Sequence, residues 1–325
     1  MREIRYLEAM NEALAEEMDL DDSVFVIGED VQAGTFGVTS RLVQRFGEDR
    51  VIDTPLSETA VAGSALGAAM AGYRPVADFM FADFIFIAAN EIITNTAKWR
   101  FAHGGRVELP LVFLAAMGGG ARNGPEHSQS PEAMIMHTPG LKLAIPSNAY
   151  DAKGLLKTAI RDNNPVVFFY HKRLLGRRGE VPEEEYTIPF GVADVKREGD
   201  DVTVVATGRM ILHSLQVAEE LAGTVSLEVI DPRTLEPLDI DTIVASVEKT
   251  GRLVVMDEDT ERCGPGAEII TQVIERAFDS LDAPPQRVAA ANMPIPGGYI
   301  EQEVLPKPSD LVAAVEAVVG RLLAV

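Results

Sequence analysis

The chain has 325 residues, about twice the roughly 150 residues of a typical domain, so two domains are expected. Its 29 Lys and Arg residues against 50 Asp and Glu residues give a net charge of −21, which argues against broad contact with nucleic acid or an anionic membrane. The single cysteine, Cys263, excludes an internal disulfide and a cysteine-based metal cluster within one chain, and it fits a reducing compartment.

The first half of the chain alternates short apolar runs with amphipathic segments. Leu7, Met10, Leu14 and Met18 recur at spacings of three and four, which predicts a helix with one buried face. Six apolar runs are predicted strands: Val24–Gly28, Val51–Asp53, Pro75–Phe79, Pro110–Ala115, Lys142–Pro146 and Val166–Tyr170. Three further predicted helices lie between them: Ser57–Ala71, Ala82–Ala102 and Asn148–Arg161. Continuous apolar strands separated by helices are typical of a parallel sheet that is covered on both faces.

A charged segment broken by Pro and Gly follows His171, so we place the inter-domain connection there. The predicted organisation is a first domain over residues 1–180, a linker over 181–200 and a second, smaller α/β domain over 201–325. The second domain is predicted to contain the strands Asp201–Ala206, Val225–Ile230, Leu253–Asp257 and Val288–Ala291 and the helices Met210–Leu221, Asp239–Lys249, Ala267–Ser280 and Ser309–Leu323. The expected fold class is therefore α/β with two domains.

Functional groups in open α/β sheets gather at the carboxyl ends of strands, and one acid there has a distinctive setting. Ser57 is a good N-cap, which places Glu58 in the first turn of a helix lined with Ala and Gly. Glu58 either stabilises the helix dipole or lies in a dry seam, where a ligand nitrogen could share its proton.

His127 lies in a loop of small and polar residues, 118–130 (GGGARNGPEHSQS). An accessible histidine in such a loop can act as an acid or base near pH 7, and the alternative is an ordinary surface histidine. No two histidines have the helical spacing of metal ligands, so a zinc site is not expected.

The motifs that usually grip phosphates are missing from this sequence. It has no GxxxxGK[ST] loop, and no GxGxxG follows the first strand. A chain that has a cleft but lacks a phosphate-binding motif is expected to hold only half of an active site. The sequence opens without the pattern of a signal peptide, and its most apolar stretch, Ala60–Gly72, is too short to span a bilayer, so a cytoplasmic protein is expected.

Three segments at predicted strand ends, 27–30 (IGED), 53–58 (DTPLSE) and 126–130 (EHSQS), closely resemble the β subunit of thiamine-diphosphate-dependent 2-oxo acid dehydrogenases. These proteins are the E1 components of the pyruvate, branched-chain 2-oxo acid and acetoin dehydrogenase complexes. The resemblance continues in order along the chain at residues 137–142, 151–156, 159–165, 205–210 and 229–235. It implies an N-terminal pyrimidine-binding domain of the thiamine-diphosphate fold with a parallel sheet, followed by a transketolase-type C-terminal α/β domain.

The resemblance also implies partners and a cofactor. In this family an α subunit with a GDG…N motif, which this sequence lacks, holds the diphosphate and its Mg²⁺. The β chain supplies the pocket for the aminopyrimidine, in an α2β2 heterotetramer. The acyl product of a 2-oxo acid or acetoin passes to the lipoyl domain of an E2 acyltransferase, whose core is a further implied partner.

Site residues carry over by position. Glu58 should hydrogen-bond the pyrimidine N1′ and favour the tautomer that activates the thiazolium C2, and Met80 and Phe84 should pack against the pyrimidine. Glu29 is a candidate for proton relay beside it. His127 should orient the substrate and assist acyl transfer. The family also has a K⁺ site made mostly of backbone carbonyls, which maps to Leu111, Ala159, Ile160, Asp162 and Asn164.

The substrate remains open at this stage. Residues 33–39 and 127–130 favour the pyruvate or acetoin type, whereas 122–123, 131–134 and 294–302 depart from the usual pattern. The alternatives are a branched-chain 2-oxo acid dehydrogenase β subunit, the C-terminal half of a split transketolase-like transferase, and a scaffold that only docks partners.

Overall fold

The alternating apolar pattern folds into two α/β units, seen in a computed structural model that describes residues 1–323. The first unit comprises residues 1–117 and 134–190, and the second comprises residues 118–133 and the chain from Gly191 onward. The division after Phe190 falls within the segment where the sequence predicts the inter-domain connection. Residues 118–133 belong by their contacts to the second unit, although elements of the first unit precede and follow them in the sequence.

The first half of the chain forms a series of strands and helices that alternate. In chain order they are β1 (Arg2–Arg5), α1 (Tyr6–Leu20), β2 (Val24–Gly28), α2 (Leu42–Phe46), β3 (Val51–Asp53), α3 (Glu58–Met70), β4 (Arg74–Phe81), a 3-10 helix (Ala82–Phe86), a π-helix (Asn90–Thr96), α4 (Ala97–Ala102), β5 (Val112–Met117), α5 (Glu132–Met136), β6 (Lys142–Ala144), α6 (Ala149–Arg161), β7 (Val166–His171), a 3-10 turn (Lys172–Leu174) and β8 (Arg178–Val181). Helix α5 begins in the second unit and ends in the first.

The main sheet of the first unit is parallel, as the sequence predicts. Its strands lie in the order β6-β7-β5-β4-β2-β3, and each neighbouring pair is parallel. Strands β5 and β7 are buried along their whole length, which fits a sheet covered on both faces. Gly28 at the end of β2 lies opposite Asp53 of β3 and Asp78 of β4, so these three strands end at one edge.

The structure differs from the sequence prediction in less regular segments. The predicted helix 82–102 is divided into 3-10, π and α segments, and its π-helical part includes Thr94, Asn95 and Thr96, residue types with low α-helix propensity. Strands β1 and β8 form an antiparallel pair that the sequence did not predict, because both are short and mostly polar.

The second unit contains a mixed sheet. Its elements are β9 (Asp194–Arg197), β10 (Val202–Ala206), α7 (Met210–Glu220), β11 (Leu227–Asp231), β12 (Thr234–Glu236), α8 (Ile240–Thr250), β13 (Leu253–Thr260), α9 (Pro265–Ala277), a 3-10 turn (Phe278–Ser280), β14 (Gln286–Ala290), a 3-10 helix (Gly298–Glu303) and α10 (Pro308–Val319). The sheet order is β14-β13-β10-β11-β9, with only the edge strand β9 antiparallel among these pairs. Strand β9 lies inside the segment predicted as a linker. Across residues 1–323, every helix is too short or too polar to cross a lipid bilayer.

Gly28 is a point of close approach between β2 and β4. A Cβ atom at this position would lie 2.3 Å from the carbonyl oxygen of Asp78. Because that oxygen belongs to the backbone of a paired strand, it cannot move aside as a flexible side chain would. Only glycine allows β2 to end at this depth in the sheet.

The substitution Gly28→Ala should lower the thermal unfolding midpoint of the chain, because the added methyl group forces β2 and β4 apart. Overpacking of this kind costs about 1–3 kcal/mol. Gly63→Ala is the matched control: a Cβ there would meet nothing within 4 Å, and alanine in a helix is favoured over glycine by about 0.5–1 kcal/mol. Circular dichroism melts measure both variants, and an unchanged midpoint for Gly28→Ala would refute the close-approach argument.

Candidate active site

Two acids lie at the edge where β2 and β3 end. Glu29 directly follows β2, and Glu58 is the first residue of α3, the helix that follows β3. Both side chains are partly buried. Ser57 occupies the N-cap position that the sequence predicts, although its side chain makes no capping hydrogen bond. The edge therefore presents carboxylates at a helix N-terminus, the usual place for function in an α/β sheet.

The electrostatics of this edge are acidic. Burial raises the pKa of Glu29, and the neighbouring carboxylates of Asp30, Glu58 and Asp53 raise it further. Glu58 is thus close enough to raise the pKa of Glu29. Four carboxylates repel a phosphate group, and they suit a heterocycle that donates a hydrogen bond or gains a proton.

Met80 is held in a strained conformation at the end of β4. The register between β4 and β5 shifts between Asp78 and Phe81. Met80 has a φ of +60°, in the left-handed region that few residues other than glycine adopt. Asp78, only 7% exposed, accepts the N–H of Met80 on Oδ1 at 2.8 Å. Burial raises the pKa of Asp78 to about 6, against the opposing effect of that hydrogen bond.

A cluster of three phenylalanine rings includes Phe81, the residue after Met80. Phe81 contacts Phe36 and Phe84 edge-to-face, with ring centroids 5.1 Å and 5.6 Å apart. Phe84 lies on the 3-10 helix that follows β4 and is partly buried. A narrow pocket in the same unit has Glu29, Phe36 and Met80 among its walls. The structure therefore combines carboxylates and apolar rings at one sheet edge.

His127 lies on the loop of residues 118–133, which belongs to the second unit. The N–H of Gly118 donates to the carbonyl of Gln129 at 3.0 Å, and the N–H of His127 donates to the carbonyl of Gly124 at 3.3 Å. The histidine side chain is partly buried, so it is neither a core residue nor a fully exposed one. The other predicted site residues lie in the first unit: Glu29, Glu58, Met80 and Phe84.

Comparison with known proteins gives a consistent result along the whole chain. Residues 2–178 match the family model of the transketolase pyrimidine binding domain, and residues 191–311 match that of the transketolase C-terminal domain. The chain is 43% identical to the acetoin:2,6-dichlorophenolindophenol oxidoreductase subunit beta of Bacillus subtilis, with 98% of each chain covered. It is 44% identical to the pyruvate dehydrogenase E1 component subunit beta of Staphylococcus epidermidis, over 98% of this chain and 99% of the other. The chain belongs to the family of 2-oxo acid dehydrogenase E1 β subunits.

One further relative supports the assignment to the E1 β family, and one solved structure bears on the fold. The 2-oxoisovalerate dehydrogenase subunit beta of Bacillus subtilis is 46% identical over 90% of this chain and 91% of its own. A solved structure of a split gene transketolase, described as an inactive beta4 tetramer, has a TM-score of 0.80 at 24% identity over 98% of both chains. That likeness shows a shared fold and confirms the predicted pair of transketolase-type α/β domains. E1 proteins of the transketolase family use thiamine diphosphate.

Sequence reasoning missed an acidic cluster in this E1 β chain. Asp257, Glu258 and Asp259 lie in the last part of β13, and Glu132, at the start of α5, is 0% exposed. Among residues 1–323, both carboxylate oxygens of Glu132 lack a hydrogen-bond partner. The same is true of Oδ1 of Asp257. Burial, reinforced by the charge of Asp259, raises the pKa of Glu132 and raises that of Asp257 to about 8. The one signal in the sequence is a run of three acids that ends an apolar strand.

The carbonyl groups expected to bind K⁺ lie partly against an arginine. The guanidinium of Arg74 donates to the carbonyl oxygens of Ile160 at 3.0 Å and Asp162 at 3.2 Å. The carbonyl of Leu111 accepts the N–H of Val166 at 3.0 Å. A carbonyl oxygen has two lone pairs, so a cation would use the second pair of each while facing the positive charge of Arg74. The K⁺ role of the five predicted residues stays a prediction.

The raised pKa of Asp257 predicts a specific pH dependence of stability. Asp257 keeps its proton up to about pH 8 when folded but loses it near its ordinary pKa of about 3.9 when unfolded, so the folded chain binds one more proton between these values. Its contribution to the free energy of unfolding should therefore fall by about 1.4 kcal/mol per pH unit as the pH rises through this window.

Asp257→Asn mimics the neutral acid and removes this contribution. The melting temperature of the variant, relative to the parent chain, should rise steadily from about pH 5 to about pH 8. Asp279→Asn alters a solvent-exposed acid, and its difference from the parent should not vary with pH. A difference for Asp257→Asn that is the same at every pH would contradict the buried, protonated state.

Proposed function

We propose that this chain is the β subunit of a thiamine-diphosphate-dependent E1 enzyme of the pyruvate or acetoin type, active only with an α subunit. The proposed reaction is oxidative decarboxylation of a 2-oxo acid, or cleavage of acetoin, with transfer of the acyl group to the lipoyl group of an E2 acyltransferase. The observation that carries the proposal is Glu58, placed beside Glu29 at the carboxyl edge of the first sheet in a chain matched over 98% of its length by E1 β relatives.

The residues at this edge fit the aminopyrimidine half of the cofactor. Glu58 would hold a proton at N1′, where a partly buried carboxylate makes a strong hydrogen bond. Met80 and Phe84 would pack against the ring, and Glu29 would exchange protons with Glu58. When bound, thiamine diphosphate supplies the electron sink for decarboxylation.

The same edge does not fit the diphosphate half. The groups that influence Glu29 are all carboxylates, and like charges repel. We therefore assign the diphosphate and its Mg²⁺ to the α subunit, in an α2β2 heterotetramer. This division explains why the sequence has a pocket for a heterocycle and no phosphate-binding motif.

His127 would act on the substrate and not on the cofactor. Imidazole is a common general acid or base, and the partly buried setting of His127 on a loop leaves it accessible. We assign it to orienting the substrate and assisting transfer of the acyl group to the lipoyl acceptor.

The substitution Glu58→Gln should lower turnover of the α-reconstituted enzyme by at least about 100-fold, because glutamine cannot exchange a proton with N1′. Glu48→Gln, at a solvent-exposed glutamate, is the control and should keep full turnover. Steady-state rates with saturating cofactor measure both. Turnover in Glu58→Gln equal to that of the parent enzyme would defeat the proposed role.

Calorimetry of the purified single chain should show no measurable affinity for thiamine diphosphate, because we assign the binding of its charged tail to the α subunit. Addition of the α subunit should restore binding. Tight binding by the β chain alone would contradict the assignment of the diphosphate to another polypeptide.

A branched-chain specificity is the second candidate, favoured by the 46% identity to a 2-oxoisovalerate dehydrogenase subunit beta. A turnover panel of pyruvate, acetoin and branched-chain 2-oxo acids with the reconstituted pair decides between the two. A ketol-transfer assay on the same pair tests the transketolase-like alternative.

A further inference from the structure

The loop that carries His127 is held to the rest of the second unit by hydrogen bonds to carboxylates. Three backbone N–H groups of the loop donate to acids: Gly119 to Glu258, Arg122 to Glu301 and Ala133 to Asp259. Glu258 and Glu301 are only 3% and 1% exposed. Hydrogen bonds to a charged acceptor are roughly twice as strong as neutral ones, and more so away from water. These acids therefore provide strong polar contacts to the loop backbone.

The loop sequence does not select a conformation by itself. Gly118, Gly120 and Gly124 have φ angles of +88°, +84° and +84°, and glycine enters this region as readily as others. A glycine-rich segment loses much conformational entropy when it is ordered. Contacts from outside the loop must provide the compensating free energy.

Glu301, Gly298 and Tyr299 all contact Arg122. Glu301 accepts the N–H of Arg122 on both carboxylate oxygens, at 3.1 Å and 3.0 Å. The guanidinium carbon of Arg122 lies 4.2 Å from the ring centroid of Tyr299, and the carbonyl of Arg122 accepts the N–H of Gly298 at 3.4 Å. Arg122 has a φ of +64°, a strained value that persists only where the surroundings impose it.

We infer that Glu301 is a positioning residue for His127. By fixing the backbone of Arg122 it sets the path of the chain toward His127, five residues further on. Glu258 and Asp259 hold the two ends of the same loop. The functional part of this inference rests on the proposed role of His127 in acyl transfer, whereas the structural part does not.

Limited proteolysis of the isolated full-length chain tests the structural part. Glu301→Ala should raise the rate of tryptic cleavage after Arg122 by about tenfold or more, because a charged hydrogen-bond acceptor is lost from a strained backbone site. Glu301→Gln keeps one acceptor oxygen and should stay within about threefold of the parent. Glu303→Ala, at an exposed acid of the same 3-10 helix, should cleave at the parent rate. A parent-like rate in a Glu301→Ala chain with native circular dichroism would overturn the inference.

A double-mutant cycle in the α-reconstituted enzyme tests the functional part. Glu301→Ala should lower kcat for acyl transfer to a lipoyl acceptor by about tenfold or more, with the half-saturating concentration of thiamine diphosphate unchanged. Because Glu301 acts through His127, the double variant with His127→Ala should be no slower than His127→Ala alone. Losses that multiply in the double variant would overturn the positioning role. Full activity of His127→Ala would instead refute the proposed function of that histidine, and the tryptic rates would then decide the role of Glu301.

Discussion

The parallel pairing of β2 with its neighbours at Gly28 determines where chemistry can occur in the first unit. The carbonyl of Asp78 comes so close that no side chain fits at position 28, and this approach lets β2, β3 and β4 end at one edge. This arrangement explains why Glu29 and Glu58 lie at the same edge, since Glu29 directly follows β2 and Glu58 begins the helix after β3. The irregularity in the pairing of β4 with β5, which includes Met80, lies between Asp78 and Phe81 at the same depth.

The negative charge of this edge bears on which half of the cofactor the chain is proposed to hold. The edge gathers carboxylates whose mutual influence is visible in the raised pKa of Glu29, and such an edge favours a nitrogen heterocycle over a phosphate. In the proposed function, such a β subunit provides a site for proton exchange and leaves the anionic part of the cofactor to the α subunit. The proposed dependence on an α subunit is thus a consequence of electrostatics as well as of ancestry.

The second unit contributes through buried acids of another kind. Glu258 and Glu301 accept hydrogen bonds from backbone N–H groups of the His127 loop, whereas burial raises the pKa of Glu132 and raises that of Asp257 to about 8. A glycine-rich loop with several left-handed residues needs such external partners. The loop is therefore shaped by residues that lie more than one hundred positions away in the chain.

The sequence by itself determined the α/β class and most strands and helices, because apolar periodicity is a local property. Short motifs, which are also local, made the segments around Glu58 and His127 the candidates for function. Only the tertiary structure decided that residues 118–133 belong to the second unit, that Met80 is strained and that Asp257 is protonated. The physical reason is range: the hydrogen bond from Gly119 to Glu258 joins residues 139 positions apart, and the burial that shifts a pKa comes from many distant segments. Neither leaves a periodic trace among neighbouring residues, so both emerge only when the chain is folded.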